Sequence, residues 1–458
     1  MRYPAKRVVA MVVCAMVVLL PAAGHAANWL MLQGTERPHA PPPVQVWGFL
    51  QPQYTTTDGT VLPTGTPFAG RPAVFNTIAP NQESDSQFQL QRARIGARGQ
   101  PFPLDAGVNY FFLAEFGNNG ITSREGASAR VTDASITLNH LPGARIRVGL
   151  FKYPGAEEGL QAIHVFDYIN FTNVTDQLLL ERFFARDGAP ACTVAAGGAA
   201  DTCANSPTGP VGAFRDIGVQ VFDAFRSGEW EHSYALMVGN GNGISGGDND
   251  GSMDRYVYLS TEWVLGEQEG PRRPGLKFFV WRQDGERKLT TGGTGTQSNG
   301  VEGSFDRERT GLGATFRRGK YRAVAEYVEA DGMIFEGTDG GAVAGTANAA
   351  GTAFATFNMT PVGKSDGYYV DVGYLALPNL ELDLRYDTLN RRTDSAIAER
   401  QFTTTTLGVQ YFFNAKTRLT LNYEFREAKA PNLPGTDVAN QILGALDDRI
   451  ALQLTTIF

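Results

Sequence analysis

The chain lacks the long, uninterrupted apolar sequence that helical membrane proteins need. Beyond residue 26 no apolar run reaches the roughly 20 residues of a membrane-spanning helix. Glycine is abundant, at 53 of 458 residues, and hydrophobic residues make up a moderate 42%. These features exclude an all-helical membrane protein. An exported soluble protein and a β-barrel remain, because a barrel strand exposes only one face to lipid and gives a weak hydropathy pattern.

Cysteine and histidine are also scarce, which limits metal and cofactor chemistry. The chain has 3 cysteines and 5 histidines, and no two histidines have the spacing of a metal site. Beyond residue 26 only Cys192 and Cys203 remain. In an exported protein they predict one local disulfide, with metal binding as the alternative. We predict no cofactor and no metal centre; residues 248–254 carry oxygens at a spacing that calcium could use, but a flexible loop is the favoured interpretation.

The first 26 residues have the pattern of a secretory signal peptide. Basic residues precede an apolar stretch at 8–20, and Gly24-His25-Ala26 offers small residues at the cleavage positions. The apolar stretch is too short for a transmembrane anchor. Residues 27–43 are rich in proline toward their end and predict a poorly ordered lead-in.

The balance of charge is acidic. Removal of residues 1–26 takes away three basic residues and no acid, which leaves 37 Lys and Arg against 47 Asp and Glu, a net charge of −10. Nucleic acid is a polyanion and attracts basic surfaces. We therefore expect no nucleic-acid partner.

The remainder, residues 44–458, repeats one pattern: an alternating segment followed by a long polar gap or a very short turn. In residues 448–458, Ile450, Leu452 and Leu454 share one face, as side chains of a two-faced strand do. Taken alone, such a strand also suits a soluble sandwich. About sixteen such segments occur, and the succession of long and short connections is typical of a barrel inserted into a membrane from one side. We predict an all-β fold, a transmembrane antiparallel β-barrel of about 16 strands.

The second strand interrupts the alternation. Phe88 and Leu90 have the same parity as Arg92 and Arg94, so one face would carry both apolar and charged side chains. A β-bulge near Gln91, or a strand end that stands clear of the lipid, would explain this.

The longest gap, residues 152–211, is too apolar for an exposed tip. Such side chains need a surface that covers them, and the lumen wall is the nearest. A barrel of about sixteen strands leaves a lumen that its wall side chains cannot fill. We predict that this third loop folds into the lumen and constricts the pore; covering a neighbouring subunit is the alternative.

Several segments resemble the phosphate-selective porin O and P family. They are residues 89–99 (QLQRARIGARG), 148–154 (VGLFKYP), 179–182 (LLER), 215–221 (RDIGVQV) and 234–243 (YALMVGNGNG), with the terminal Phe458. The resemblance implies a sixteen-stranded outer-membrane barrel, a homotrimer and a third loop inside the pore. It also implies that Arg92 and Arg94 match the family's basic pair, that Lys152 matches the basic residue before the loop, and that Phe458 serves as an assembly signal.

The loop departs from that family in its charge. Residues 153–211 contain no lysine, and seven acids stand against two arginines: Glu157, Glu158, Asp167, Asp176, Glu181, Asp187 and Asp201 against Arg182 and Arg186. Such acids repel phosphate unless wall arginines such as Arg145 or Arg147 pair with them. Arginines remain the better selective element, because their forked donors suit oxyanions. The residues predicted to line the pore or set its selectivity are Arg92, Arg94, Arg98, Arg145, Arg147, Lys152, Glu157, Glu158, Glu181, Arg182 and Arg186.

These observations predict a porin and not an enzyme. Nothing marks the Ser/His/Asp constellation that a barrel hydrolase would need. The predicted function is passive diffusion of small hydrophilic solutes and ions through the outer membrane of a Gram-negative bacterium, with at most a mild preference for anions such as phosphate. A receptor or adhesin that acts through the long loops at 290–306 and 330–366 is the alternative, and a barrel hydrolase is a second, less favoured one. The predicted partners are outer-membrane lipid, further copies of the chain in a homotrimer, and small anionic or neutral solutes.

Overall fold

Sixteen antiparallel strands close into one barrel. The structure, a computed structural model, describes residues 28–35, 43–77, 85–101, 105, 107–122, 129–181, 212–245, 247–248, 250–268, 270–291, 301–342, 346–351, 355 and 357–458. The predicted fold class is confirmed.

The strands follow one another around the barrel in chain order, with a separate two-stranded hairpin inserted in one connection. The barrel strands are β1 (Gln45–Thr57), β2 (Ser86–Gly99), β3 (Val108–Glu115), β4 (Arg130–Leu138), β5 (Arg145–Lys152), β6 (Arg215–Ser227), β7 (Trp230–Gly239), β8 (Asp254–Val264), β9 (Gly275–Thr291), β10 (Val301–Arg318), β11 (Tyr321–Asp331), β14 (Lys364–Leu377), β15 (Leu380–Arg391), β16 (Arg400–Asn414), β17 (Thr417–Lys429) and β18 (Arg449–Ile457). The hairpin is β12 (Ile334–Thr338) and β13 (Phe357–Thr360). The short helices are α1 (Trp29–Leu32), α2 (Val74–Thr77), α3 (Glu157–Leu160), α4 (Asn173–Leu178) and α5 (Val438–Leu443).

The last strand closes the barrel against the first. β18 pairs with β1, and the backbone groups of Gly48 and Phe458 exchange hydrogen bonds of 3.1 and 3.0 Å. A Cβ at position 48 would stand 2.5 Å from the Phe458 ring, so glycine is what lets this ring lie against β1. The apolar face of β18, with Ile450 and Leu452, points outward. Closure satisfies the edge groups that an open sheet would leave unpaired.

The outer surface is apolar and carries aromatic side chains near both ends. At the end with short turns, the turn end, Trp230 stacks on Trp263 at 6.3 Å and Tyr321 lies 5.3 Å from Tyr374. At the opposite end, the loop end, aromatic pairs include Tyr54 with Phe88, Tyr368 with Tyr386, and Tyr423 with Phe425. Two such girdles around an apolar band are typical of barrels that span lipid. Among the described residues, no helix is both long enough and apolar enough to cross a membrane.

The break in the alternation of β2 is a β-bulge, the first of the two explanations offered by the sequence. Gln51 pairs with Arg92, but the next residue of β1, Pro52, pairs with Leu90, so Gln91 is the extra residue. The bulge turns Arg92 inward while Leu90 stays on the outer face. Proline suits this position because it has no N–H to donate to a regular ladder.

The loop end is more ordered than the sequence indicated. Residues 330–366 predict a plain loop, but they contain the β12–β13 hairpin. Connections after β1, β11 and β17 pack together there through a small apolar cluster of Leu62, Phe68, Ala73, Ala342, Ala355 and Ala445. Alanines in a glycine-rich segment show no hydrophobic periodicity. The sequence alone therefore could not predict that these connections pack together.

Candidate functional site

The described first part of the chain between β5 and β6, residues 153–181, turns into the lumen, as predicted for the third loop. We call it the inner loop. Val174, Leu178 and Leu180 are at most 1% exposed and join a cluster that includes Trp281 of β9 and Val328 of β11. Burial of apolar side chains is the main force that holds such a loop against the wall.

The acids of the inner loop face cations from the β9–β15 side of the barrel. Glu157 lies 2.6 Å from Lys277, and Glu158 lies 3.3 Å from Arg385. Asp167 contacts Arg272 and Arg322, and Glu181 contacts Arg287 and Arg307. The predicted partners Arg145 and Arg147 pair with none of these four acids: Arg145 pairs with Asp223 at 3.1 Å. These acids therefore dock the loop, and their charge is largely compensated where they lie.

The pKa values of two loop acids report this compensation. Burial alone would raise the pKa of the Asp167 carboxyl, but Arg272 and Arg322 outweigh it, and the pKa lies below its usual range. Burial alone would likewise raise the pKa of the Glu181 carboxyl. The charges of Arg287 and Arg307 outweigh this effect, and the pKa of Glu181 is lowered. Both groups stay ionised at neutral pH, so the loop is held by complete ion pairs.

Docking of the inner loop should resist mild acid. A carboxyl whose folded pKa is depressed contributes stability above its unfolded pKa, and this is lost as pH falls through the folded pKa. With unfolded values near 4, we expect single-channel conductance and current noise to stay constant from pH 8 to about pH 4 and to rise below that. Recordings in planar bilayers at stepwise lower pH measure this. A transition between pH 5 and 6 would show that other groups hold the loop.

Arg322, on β11 beside the inner loop, forms ion pairs with several acids. Arg322 contacts Glu381 and Asp383 at 2.6 Å each, as well as Asp371 and, at 3.5 Å, Asp167. Its side chain is only 3% exposed. A buried cation with this many partners holds the wall and the loop together.

The opposite side of the lumen, on β1, β2, β5 and β6, is basic. Arg92 donates to Gln51 at 3.1 Å, and Arg94 pairs with Glu115 at 2.6 Å. Lys152 donates to the carbonyl oxygens of residues 159 and 161 of the inner loop, at 2.7 and 2.6 Å. Carbonyl acceptors are neutral, so the charge of Lys152 is not cancelled by them. We call Arg92, Arg94, Arg147, Lys152 and Arg215 the basic wall.

The N-terminal segment, residues 28–35, lies inside the turn end of the lumen. The sequence predicted a poorly ordered lead-in over 27–43, and the structure gives its residues 28–35 a short helix and contacts with the barrel wall. The side chain of Asn28 donates to Glu231 at 3.2 Å and to Ser233 at 2.6 Å, and Gln33 donates to Asp133. Leu30 and Met31 are each 4% exposed.

Two basic side chains hold the backbone of this segment. Arg98 donates to the carbonyl oxygen of Thr35 at 3.0 Å, and Arg147 donates to those of Leu30 and Gln33. The Arg147 guanidinium also lies 4.3 Å from the centre of the Phe222 ring. Two predicted pore residues thus bind the chain's own N-terminal segment.

Six further predicted residues fall outside the described part of the chain. They are Arg182, Arg186, Asp187, Cys192, Asp201 and Cys203. Their roles in the pore and in a disulfide stay predictions.

Two cavities lie along the basic wall. The turn-end cavity has a volume of about 840 Å³ and the loop-end cavity one of about 100 Å³. Arg92 lines the loop-end cavity and Arg94, two residues further along the same face of β2, lines the turn-end cavity. The bulge at Gln91 turns both arginines inward, and their spacing along β2 places one in each cavity.

Cations outnumber acids in both linings. The turn-end cavity has six basic residues and one acid: Arg94, Arg98, Arg147, Lys152, Arg215 and Arg272 against Asp133. The loop-end cavity has five basic residues and two acids: Arg92, Arg385, Arg391, Arg426 and Arg449 against Asp176 and Glu424. A narrow space lined by one sign of charge concentrates ions of the opposite sign.

Some lining residues escaped the sequence prediction. Arg385 alternates with outward leucines in β15, so strand parity could have identified it as an inward cation. Arg215 is the first residue of a segment, 215–221, that the resemblance already singled out. Arg272 lies in the turn between β8 and β9, where no periodicity indicates direction, and nothing in the sequence marks it.

Comparisons with known proteins identify relatives in fold only. No family model matches the chain, and no curated protein matches it. Among solved structures it is similar to an anion-selective porin from Comamonas acidovorans, at 13% identity and a TM-score of 0.48, over 91% of this chain and 99% of that one. It is also similar to the outer membrane channel DcaP of Acinetobacter baumannii, at 13% identity and a TM-score of 0.47, over 91% of this chain and 97% of that one. The similarity to Salmonella typhi OmpF has 17% identity and a TM-score of 0.47, again over 91% of this chain and 97% of that one.

Proposed function

We propose that this protein is an outer-membrane porin of a Gram-negative bacterium that lets small hydrophilic solutes diffuse passively and prefers anions. The apolar outer surface with its two aromatic girdles supports a place in lipid. The homotrimeric state implied by the family resemblance is part of this proposal, and phosphate is one of the anions that such a pore would admit.

The distribution of charge in the lumen carries the anion preference. The inner loop brings acids into the pore, but Glu157, Glu158, Asp167 and Glu181 all meet cations of the far side. The basic wall lies on the other side of the loop, along the cavities. Anions that pass there meet an excess of positive charge, and cations meet repulsion.

Conductance through the refolded protein tests this proposal. In planar bilayers we expect open, ohmic channels and, in a potassium chloride gradient, a reversal potential of the sign given by an anion-selective pore. Replacement of Arg92 and Arg94 together by alanine should shift the reversal potential toward cations, because each cavity loses one fixed positive charge.

The matched control replaces Arg282, an exposed arginine on the outer face of β9, by alanine. It removes a positive charge without altering the lumen and should leave the reversal potential unchanged. An absence of conductance would refute the porin function. An unchanged reversal potential in the double variant would show that the basic wall does not set selectivity.

A further inference from the structure

The turn-end cavity is the larger of the two cavities along the basic wall. Its volume of about 840 Å³ is within the range of small-molecule binding pockets. Besides its cations, it is lined by aromatic and aliphatic side chains, among them Trp29, Leu30, Trp47 and Ile163. A cavity that combines cations with apolar surface suits a ligand that combines an anionic group with an apolar body.

Four rings on the cavity wall form one contiguous aromatic cluster: Trp47, Phe49, Phe111 and His164. The centre of the Trp47 ring lies 6.2 Å from that of Phe49, 5.9 Å from that of Phe111 and 5.6 Å from that of His164. The side chains of Phe49 and Phe111 are buried, whereas those of Trp47 and His164 are only partly buried. The last two therefore offer ring surface to a bound molecule.

The imidazole of His164 behaves as a neutral ring at physiological pH. Burial, together with the nearby charges of Arg418 and Lys152, lowers the pKa of His164 to about 3. A neutral imidazole can stack on a flat apolar partner without the desolvation cost of a charged one.

Cations lie beside these rings. The Arg94 guanidinium is 5.7 Å from the centre of the Phe49 ring, and that of Arg98 is 5.7 Å from the centre of the Phe111 ring. An acidic group held near the aromatic cluster would therefore find positive charge.

We propose that the turn-end cavity binds aromatic carboxylates, with the flat ring against Trp47 and His164 and the carboxylate toward Arg94 and Arg98. This inference rests on the proposed porin function and names the solute class of that pore. Inorganic phosphate fits less well, because it would lose hydration in a space with much apolar lining and gain nothing from the rings. An aromatic carboxylate uses both kinds of surface.

Titration calorimetry on the refolded protein in detergent tests the inference without reference to current. The probes are benzoate, cyclohexanecarboxylate of similar size without a flat ring, acetate and inorganic phosphate. We expect benzoate to bind about tenfold more tightly than acetate, and more tightly than cyclohexanecarboxylate and phosphate. In bilayers, benzoate should produce brief interruptions of the current carried by potassium chloride.

Two variants assign the site. Trp47→Leu and, separately, His164→Ala should each weaken benzoate binding several-fold and leave acetate unchanged. The control is Trp230→Leu, because Trp230 lies at the same end of the barrel but faces outward, at 42% exposure; its benzoate affinity should equal that of the unaltered protein.

Either of two results overturns the inference. One is equal affinity for benzoate, cyclohexanecarboxylate and acetate; the other is tighter binding of phosphate than of benzoate. Open channels accompanied by either result would leave the porin function intact and refute only the solute class. Benzoate binding to a protein that forms no channels would refute the porin function and, with it, the role of this site in diffusion.

Discussion

Replacing Arg322 by methionine is expected to destabilise the barrel by about 3–5 kcal/mol, the usual cost of leaving buried charges without their partner. Methionine keeps much of the side-chain volume but removes the cation that Asp371, Glu381 and Asp383 share. Like charges then remain in close contact inside the lumen wall. Unfolding of the refolded protein by urea in lipid vesicles, followed by tryptophan fluorescence, measures the change.

The control for this variant is Arg282→Met. Arg282 also pairs with two acids, Asp284 and Glu308, but its side chain is 45% exposed. Because solvent screens such exposed ion pairs, this variant should lose less than about 1 kcal/mol of unfolding free energy. Adding Asp383→Asn to the Arg322→Met variant should restore part of its stability. Equal losses in the two arginine variants would show that the cluster around Arg322 gives the barrel no special support.

Replacing residues 28–35 by eight glycine and serine residues is expected to raise single-channel conductance about twofold or more, since conductance follows the free cross-section of the pore. The substitution keeps the chain length but removes the side-chain contacts with Glu231, Ser233 and Asp133. The turn-end cavity loses a wall that Leu30 and Gln33 now form. Bilayer recording of the refolded variant gives the conductance.

A single substitution tests whether the N-terminal segment needs its anchoring contacts to stay in the lumen. Gln33→Ala removes the contacts with Asp133 and with the backbone N–H of Lys152 but keeps the rest of the segment. We expect it to increase the frequency of transitions between conductance levels with little change in the main level. Unchanged conductance in the glycine-serine variant would mean that the N-terminal segment lies outside the path of the ions.

Strand periodicity predicted the barrel because it is a local property. The two faces of β15 and β18 can be read from adjacent residues, and the bulge in β2 is visible as a shift of parity around Gln91. The inward direction of Arg92 and Arg94 follows from the same pattern. Features that repeat every two residues need no knowledge of distant contacts.

The partners of the loop acids could not be predicted in this way. Glu157 pairs with a lysine 120 residues away, and Glu158 with an arginine 227 residues away. Both cations belong to strands whose order around the barrel fixes which side of the lumen they occupy. The sequence therefore showed an acidic loop and left open whether it would repel anions, whereas the structure shows these acids compensated by the far wall.

The N-terminal segment was missed for a different reason. Its apolar residues, from Trp29 to Leu32, form a run too short to show a period, and prolines follow closely. Such a stretch resembles a linker until the lumen supplies partners for its carbonyl oxygens. Arg98 and Arg147, identified from the sequence as facing solutes, also hold this segment.

The contacts between the inner loop and β17 also fix an order of assembly. The backbone N–H of Ile169 donates to Asn422 and the side chain of Asn170 donates to Glu424, each at 2.8 Å and across more than 250 residues of chain. Contacts this remote in sequence form late in folding, since the intervening strands must first be in place. The inner loop can make these two contacts only once β17 is in place, so its docking in the lumen is complete only after the last strands have joined.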